Sequence, residues 1–158
     1  MDISVITPFY KGNAYMARLF SCIAACAEHA PDLRIELVLV NDSPDCPICY
    51  EADWVQGFSM NILTNKENAG IHRARINGLS VAKGTFIQFL DQDDLLAPEA
   101  LALQFAAVQN ADVVVADGFE QDPRRYGPIY RNAAHQRQTT HPRFYYSVSN
   151  LIPPPANV

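Results

Sequence analysis

The feature that most restricts how this chain can fold is a repeated alternation. Short, mainly apolar runs are each followed by a stretch with helical spacing. Ile3-Ser-Val-Ile6 predicts a strand that stops at Thr7-Pro8. A helix is expected from Asn13, as its N-cap, to about His29, with Met16, Leu19, Phe20 and Ile23 on one stripe. Ile35–Val40 predicts a strand buried on both faces, ending in the turn residues Asn41-Asp42-Ser43-Pro44. A short amphipathic stretch over Cys46–Val55 and a strand over Met60–Leu63 follow. Asn68-Ala-Gly70 then opens a helix over Ile71–Ala82 with Gly84 as its C-cap, and Thr85–Leu90 forms a strand that runs into Asp91. A helix from Pro98 to about Gln109 and a strand over Asp112–Ala116 complete the pattern. Such βαβ units predict an α/β fold with a mainly parallel sheet and helices on both faces.

In sheets of this kind ligands bind beyond the carboxyl ends of the strands. The polar residues of interest collect there: Thr7 and Tyr10 after the first strand, Asp42 after the second, and Asp91-Gln92-Asp93-Asp94 after the fourth. Carboxylate oxygens suit hard divalent cations. On an extended segment Asp91 and Asp93 would point the same way and share one ion. The alternative reading is a solvated loop in which Asp94 caps the following helix.

The net charge of −5 argues against duplex nucleic acid as the main partner, which would need a basic face. No apolar run approaches the roughly 20 residues needed to span a bilayer, and the Met-Asp-Ile-Ser start lacks the pattern of a signal peptide. The expectation is a cytoplasmic protein, compatible with peripheral association at the inner face of a membrane. Four cysteines are present. Cys22 and Cys26 share a helix face, and Cys46-Pro-Ile-Cys49 is a CxxC that could form half a zinc site. From Phe119 the texture changes. Glu120–Arg143 is polar without a clear period and reads as a long loop, and a helix or strand is expected over Phe144–Ile152. The domain reading is therefore an α/β unit over residues 1–118 and a separate region over 119–158.

Four blocks, in order, resemble the family 2 glycosyltransferases of the GT-A fold. They are Ile3-Ser-Val-Ile-Thr-Pro-Phe-Tyr10, Glu36-Leu-Val-Leu-Val-Asn-Asp-Ser43, Asn68-Ala-Gly-Ile-His-Arg-Ala-Arg-Ile-Asn-Gly78, and Lys83-Gly-Thr-Phe-Ile-Gln-Phe-Leu-Asp-Gln-Asp-Asp94. The resemblance implies a nucleotide-sugar donor. Tyr10 would stack on the base, helped by backbone from Thr7 or Pro8, and Asp42 would accept from a base N–H, as suits uracil or thymine. Arg75 and the turn of Asn68 and Gly70 would face the base or phosphates. Asp91 would contact the ribose or the metal, Gln92 would belong to the nucleotide-sugar site, and Asp93, with Asp91, would hold Mn²⁺ or Mg²⁺. Each has a plainer alternative: Tyr10 packing on the sheet edge, Arg75 pairing with a surface acid, Asp42 closing an Asx turn. Ile76 stands where the family often has Asn, and Asn41 where it often has Asp.

The family's catalytic base lies in an acceptor half after the fifth strand, and nothing after Asp122 is acidic here. The catalytic base is therefore unassigned, and the expectation is a chain cut short before the acceptor half. Three readings follow. One is a donor domain for transfer to a sugar or lipid-linked sugar hydroxyl in polysaccharide synthesis. Another is a non-catalytic nucleotide-sugar-binding fragment, and the third a zinc-binding interaction domain using the CxxC.

Overall fold

The computed structural model describes residues 1–109, 112–116, 119–122, 125–128 and 150–152. Within them the chain runs β1 (Ile3–Phe9), α1 (Asn13–His29), β2 (Ile35–Asn41), a single 3-10 turn (Ala52–Trp54), β3 (Ser59–Thr64), α2 (Ile71–Leu79), β4 (Phe86–Phe89), α3 (Ala100–Val108), β5 (Val114–Val115), β6 (Phe119–Asp122), β7 (Arg125–Pro128) and β8 (Asn150–Ile152). The main sheet has the order β3-β2-β1-β4-β8-β5. β1 is parallel to β2 and β4, and β2 is parallel to β3. β8 enters antiparallel between β4 and β5. The fold is the expected α/β arrangement, mainly parallel, with one antiparallel strand from the region after residue 118.

Both faces of the sheet are covered, as the apolar runs of β1 and β2 require. Alternate residues Ile3, Val5 and Phe9 of β1, with Ile35, Leu37 and Leu39 of β2, pack with Met16, Leu19, Phe20 and Ile23 of α1 and Leu101 and Val108 of α3. Ile6, Val38 and Val40, which alternate with them, pack with Ile87 of β4 against Ala74 of α2. Complete burial of a side chain such as Phe20 or Leu19 contributes about 1.5–3 kcal/mol. Gly78 brings α2 close to the sheet: a Cβ there would lie 2.5 Å from Cγ2 of Ile6 and 3.0 Å from Cγ2 of Val40.

Several local expectations are corrected. β1 does not stop at Thr7-Pro8 but continues to Phe9. The Ile6 carbonyl accepts from Leu90 on the β4 side, whereas the Phe9 carbonyl accepts from Asp42 on the β2 side. Pro8 therefore turns its missing N–H toward the side on which β4 has already ended. The N-cap of α1 is Gly12, not Asn13. Asn13 instead donates to the Pro47 carbonyl and accepts from the Cys49 N–H, so its side chain staples the β2–β3 connection. Residues 46–55 contain only the 3-10 turn. α2 ends at Leu79 with Ser80 as its C-cap. Gly84 is no cap: its N–H donates to the Ser4 hydroxyl at 2.7 Å, and its Cα abuts the Ser4 backbone. The N-cap of α3 is Glu99, so Asp94 does not cap that helix. The expected loop over Glu120–Arg143 begins instead with a hairpin, β6 against β7. Antiparallel backbone pairing between adjacent segments needs no apolar period, which is why composition alone missed it. The rest of that stretch, and residues 144–149, lie outside the described residues.

Candidate functional site

Four parallel strands end at one edge of the sheet, and the segments leaving them line a cleft of about 330 Å³. β1 supplies Pro8, Phe9 and Tyr10, and β2 supplies Asp42. The turn before α2 supplies Asn68, Gly70 and Ile71, and the segment after β4 supplies Asp91, Gln92 and Asp93. Eight of the ten residues singled out by sequence are thus brought to one place. Thr7 is not: it is completely buried within β1, and its hydroxyl has no partner among the described residues. Arg75 is not part of the wall either.

Tyr10 is 48% exposed, so it does not pack against the sheet edge. The Lys11 ammonium lies 5.4 Å from its ring centroid. Asp42 is buried at 4% exposure, and its carboxylate is already engaged. One oxygen accepts from the Asn65 amide at 2.7 Å and the Ala69 N–H at 2.9 Å, and the other accepts from the Gly70 N–H at 2.8 Å. The Asx turn weighed for Asp42 is made by Asn41 instead, whose Oδ1 accepts from the Ser43 N–H at 2.9 Å. Asp42 thus shapes the turn that starts α2. With three bonds accepted, its carboxylate keeps one open acceptor direction, on the oxygen facing Gly70. Gly70 itself has φ of +82°, a conformation that favours glycine.

The acidic segment is not extended. The Asp94 N–H donates to the Asp91 carbonyl at 3.1 Å, closing a tight turn over Asp91-Gln92-Asp93-Asp94. The period-two argument for Asp91 and Asp93 therefore fails, although both still line the cleft. The Arg75 guanidinium binds Asp91 at 2.6 Å, with the two side chains 30% and 37% exposed. Arg75 also lies 5.7 Å from the Phe89 ring centroid. Pairing with an acid is thus the contact Arg75 makes, because α2 carries it beside the end of β4. Burial, followed by repulsion from Asp91 and Asp93, holds the Asp94 carboxyl above the usual range.

Sequence reasoning missed the anchoring of this turn on α1. The Arg18 guanidinium donates to the Asp93 carbonyl at 3.2 Å. The Cys22 sulfur accepts from the Leu96 N–H at 3.0 Å, and the Cys26 thiol donates to the Ala97 carbonyl at 3.4 Å. Residues 18, 22 and 26 fall four apart on one face, and that spacing is the signal that could have exposed them as a contact stripe. Hydrogen bonding with Cys22 and burial push the Cys26 thiol up, away from thiolate. Cys46 and Cys49 lie on the β2–β3 connection, held by Asn13. All four cysteines are free thiols. Among the described residues no three His, Cys, Asp or Glu side chains gather to hold a metal.

Asp91 and Asp93 on one wall are a donor set that a divalent cation accepts when substrate phosphate oxygens and waters complete its shell. They fit Mg²⁺ or Mn²⁺ bound together with a diphosphate, not a cation held by protein alone. No helix among the described residues is long and apolar enough to cross a membrane.

The minor teichoic acid biosynthesis protein GgaB of Bacillus subtilis (strain 168) is 38% identical over 98 residues, which are 61% of this chain and 11% of that protein. The crystal structure of S. aureus TarS 1-349 in complex with UDP-GlcNAc superposes with a TM-score of 0.62 at 22% identity, covering 77% of this chain and 36% of that one. The mannosyltransferase PcManGT from Pyrobaculum calidifontis, solved in complex with GDP-Man and Mn²⁺, gives a TM-score of 0.57 at 19% identity, with 77% and 36% covered. These two structures share the fold, and the chain spans little more than a third of either. The family model for Glycosyl transferase family 2 matches residues 4–155. An α/β sheet whose strand tips gather an exposed tyrosine, a buried aspartate and an acidic turn, matched by that model almost from end to end, makes the chain a member of glycosyl transferase family 2, a family of glycosyltransferases.

Proposed function

We propose that this chain is the donor domain of a metal-dependent glycosyltransferase and binds a nucleoside-diphosphate sugar of the UDP or dTDP type. The observation that carries the reading is one cleft lined by Tyr10, Asp42, Asp91 and Asp93, which come from three different strand ends. A half-exposed ring over a cleft offers a stacking surface for a base. The open acceptor direction of Asp42 suits the imide N–H of uracil or thymine. Asn68 and Gly70 close the base side.

Asp93, with Asp91, would hold Mn²⁺ or Mg²⁺. When bound, that ion would neutralise the diphosphate and stabilise the charge developing on the leaving nucleoside diphosphate. Asp93 fits the part of main ligand because its side chain is exposed while its carbonyl is held by Arg18. Arg75 orients Asp91 through their ion pair. The Mn²⁺ in the PcManGT complex supports a divalent ion in this fold, and the UDP-GlcNAc bound by TarS supports a uridine donor.

In the whole protein the sugar would pass to a hydroxyl of a sugar or lipid-linked acceptor in building a surface polysaccharide, a reading supported by the teichoic acid role in the name of GgaB. Free thiols and a nucleotide-sugar donor both fit the cytoplasmic side of a membrane.

The test is a thermal-shift panel of UDP, dTDP, GDP and ADP, each with and without Mn²⁺. The expected result is a rise in Tm with UDP or dTDP that needs the cation, since a ligand that binds only the folded state stabilises it. No shift from any nucleotide at millimolar concentration overturns the reading.

A further inference from the structure

We propose that Gln92 is a positioning residue for the donor base: its side-chain amide fixes the Tyr10–Gly12 lip of the cleft in the shape that presents the Tyr10 ring. The inference rests on the nucleotide reading above. The Tyr10 N–H donates to Gln92 Oε1 at 3.0 Å, and Gln92 Nε2 donates to the Tyr10 carbonyl at 3.3 Å. A side-chain amide bonded to both backbone groups of one residue does what a neighbouring strand would do. It continues the pairing of β1 beyond the point where β4 ends at Phe89.

The lip needs such a clamp. Lys11 has φ of +48°, the one non-glycine residue with positive φ among those described. A residue held there persists only where its surroundings fix it. On one side the Lys11 N–H donates to the Ser43 hydroxyl at 3.0 Å. On the other, Gln92 takes Tyr10.

Gly12 supplies an independent observation. Its φ of −100° is open to any residue, so the backbone does not ask for glycine. A Cβ at this position would overlap the Gln92 amide, lying 2.5 Å from its carbonyl carbon and 2.8 Å from Nε2. Glycine at position 12 is explained by the amide that occupies the space. The acidic turn and the base-stacking lip are thereby joined, so the wall that meets the diphosphate also sets the ring that meets the base.

The experiment compares Gln92→Ala, Gly12→Ala and the double variant in the full chain. Two readouts are used: hydrogen exchange of the Tyr10 amide without nucleotide, and calorimetric affinity for UDP and for inorganic pyrophosphate, each with Mn²⁺. Removing two hydrogen bonds from the lip is expected to speed Tyr10 exchange and to weaken UDP about tenfold. Pyrophosphate, which has no base to place on Tyr10, should change by less than about twofold. Gly12→Ala should reproduce the loss by displacing the amide. The double variant should be no worse than either single one, because both act on one contact. Unchanged Tyr10 exchange and UDP affinity in Gln92→Ala overturn the inference, as do equal losses for UDP and pyrophosphate or additive effects of the two substitutions. Failure of the unsubstituted chain to bind any nucleotide overturns instead the reading on which it rests, and the assigned role with it.

Discussion

Asp42 allows a sharp separation of architecture from recognition. Its carboxylate accepts from the Asn65 amide and from the Ala69 and Gly70 N–H groups, at 2.7, 2.9 and 2.8 Å, with only 4% of the residue exposed. Asp42→Asn keeps the shape and leaves one oxygen, which can still face Asn65 and Ala69. The new NH₂ group must then face the Gly70 N–H, donor against donor. A hydrogen bond to a charged group is worth about 1.5–3 kcal/mol, and a buried group left unpaired costs a similar amount. Gly70 keeps a second acceptor, the Asn68 side-chain oxygen at 3.0 Å, which softens the loss. The expected destabilisation is about 2 kcal/mol, which for a chain of this size lowers Tm by roughly 4–8 °C. Asp42→Ala abandons all three donors and should cost about 3–5 kcal/mol, at about 1–3 kcal/mol for each buried donor left without a partner. Urea unfolding of the nucleotide-free protein measures both, with m unchanged if the folded state keeps its extent. Exchange of the Gly70 amide should quicken in each. If Asp42→Asn lies within about 0.5 kcal/mol of the parent and Gly70 stays protected, the carboxylate is not what holds the turn, and the reasoning fails.

Three further outcomes are expected. Gly78→Ala should lower stability by about 1 kcal/mol in urea, because overpacking against Ile6 and Val40 costs about 1–3 kcal/mol and outweighs the gain of about 1 kcal/mol in helix propensity; a rise in Tm would show that α2 can retreat from the sheet. Asp93→Ala should remove the Mn²⁺-dependent part of nucleotide stabilisation while leaving the free protein's Tm nearly unchanged, since the side chain is exposed, and chelation of the cation should reproduce this in the parent. Asp2 binds Arg34 at 2.6 Å, and the Arg34 hydrogen bonds lower its pKa to about 2 from an ordinary 3.8. A depressed carboxyl contributes stability above its unfolded pKa, so this contribution is present at neutral pH and is lost as pH falls from about 4 to about 2. Because Arg34 is 71% exposed, solvent screens the pair and its contribution is small. Asp2→Asn should flatten the acid limb of urea stability slightly, and an unaltered limb would refute the assignment.

The parts of the fold that were legible in sequence are those whose cause is local. Ile35–Val40 reads as a strand because every residue but Glu36 is apolar, and α1 reads as a helix because its apolar residues recur on one face. β8 was not legible as a sheet member, since three residues carry no period and its pairing with β4 and β5 depends on a return of the chain over a long sequence distance. The site divides in the same way. Its location followed from where strands end, but its bonds did not, because each joins segments far apart in sequence: Gln92 with Tyr10, Arg75 with Asp91, Arg18 with the Asp93 carbonyl. These bonds change how the acidic turn is understood. Three carboxylates in four residues repel one another, and the raised pKa of Asp94 reflects partial burial first and then that repulsion. The fold answers by fastening the turn from three sides through Gln92, the Asp91 carboxylate and the Asp93 backbone. The Asp93 carboxylate is left exposed at the cleft, so the group that no local rule could separate from its acidic neighbours is separated by the tertiary contacts they make.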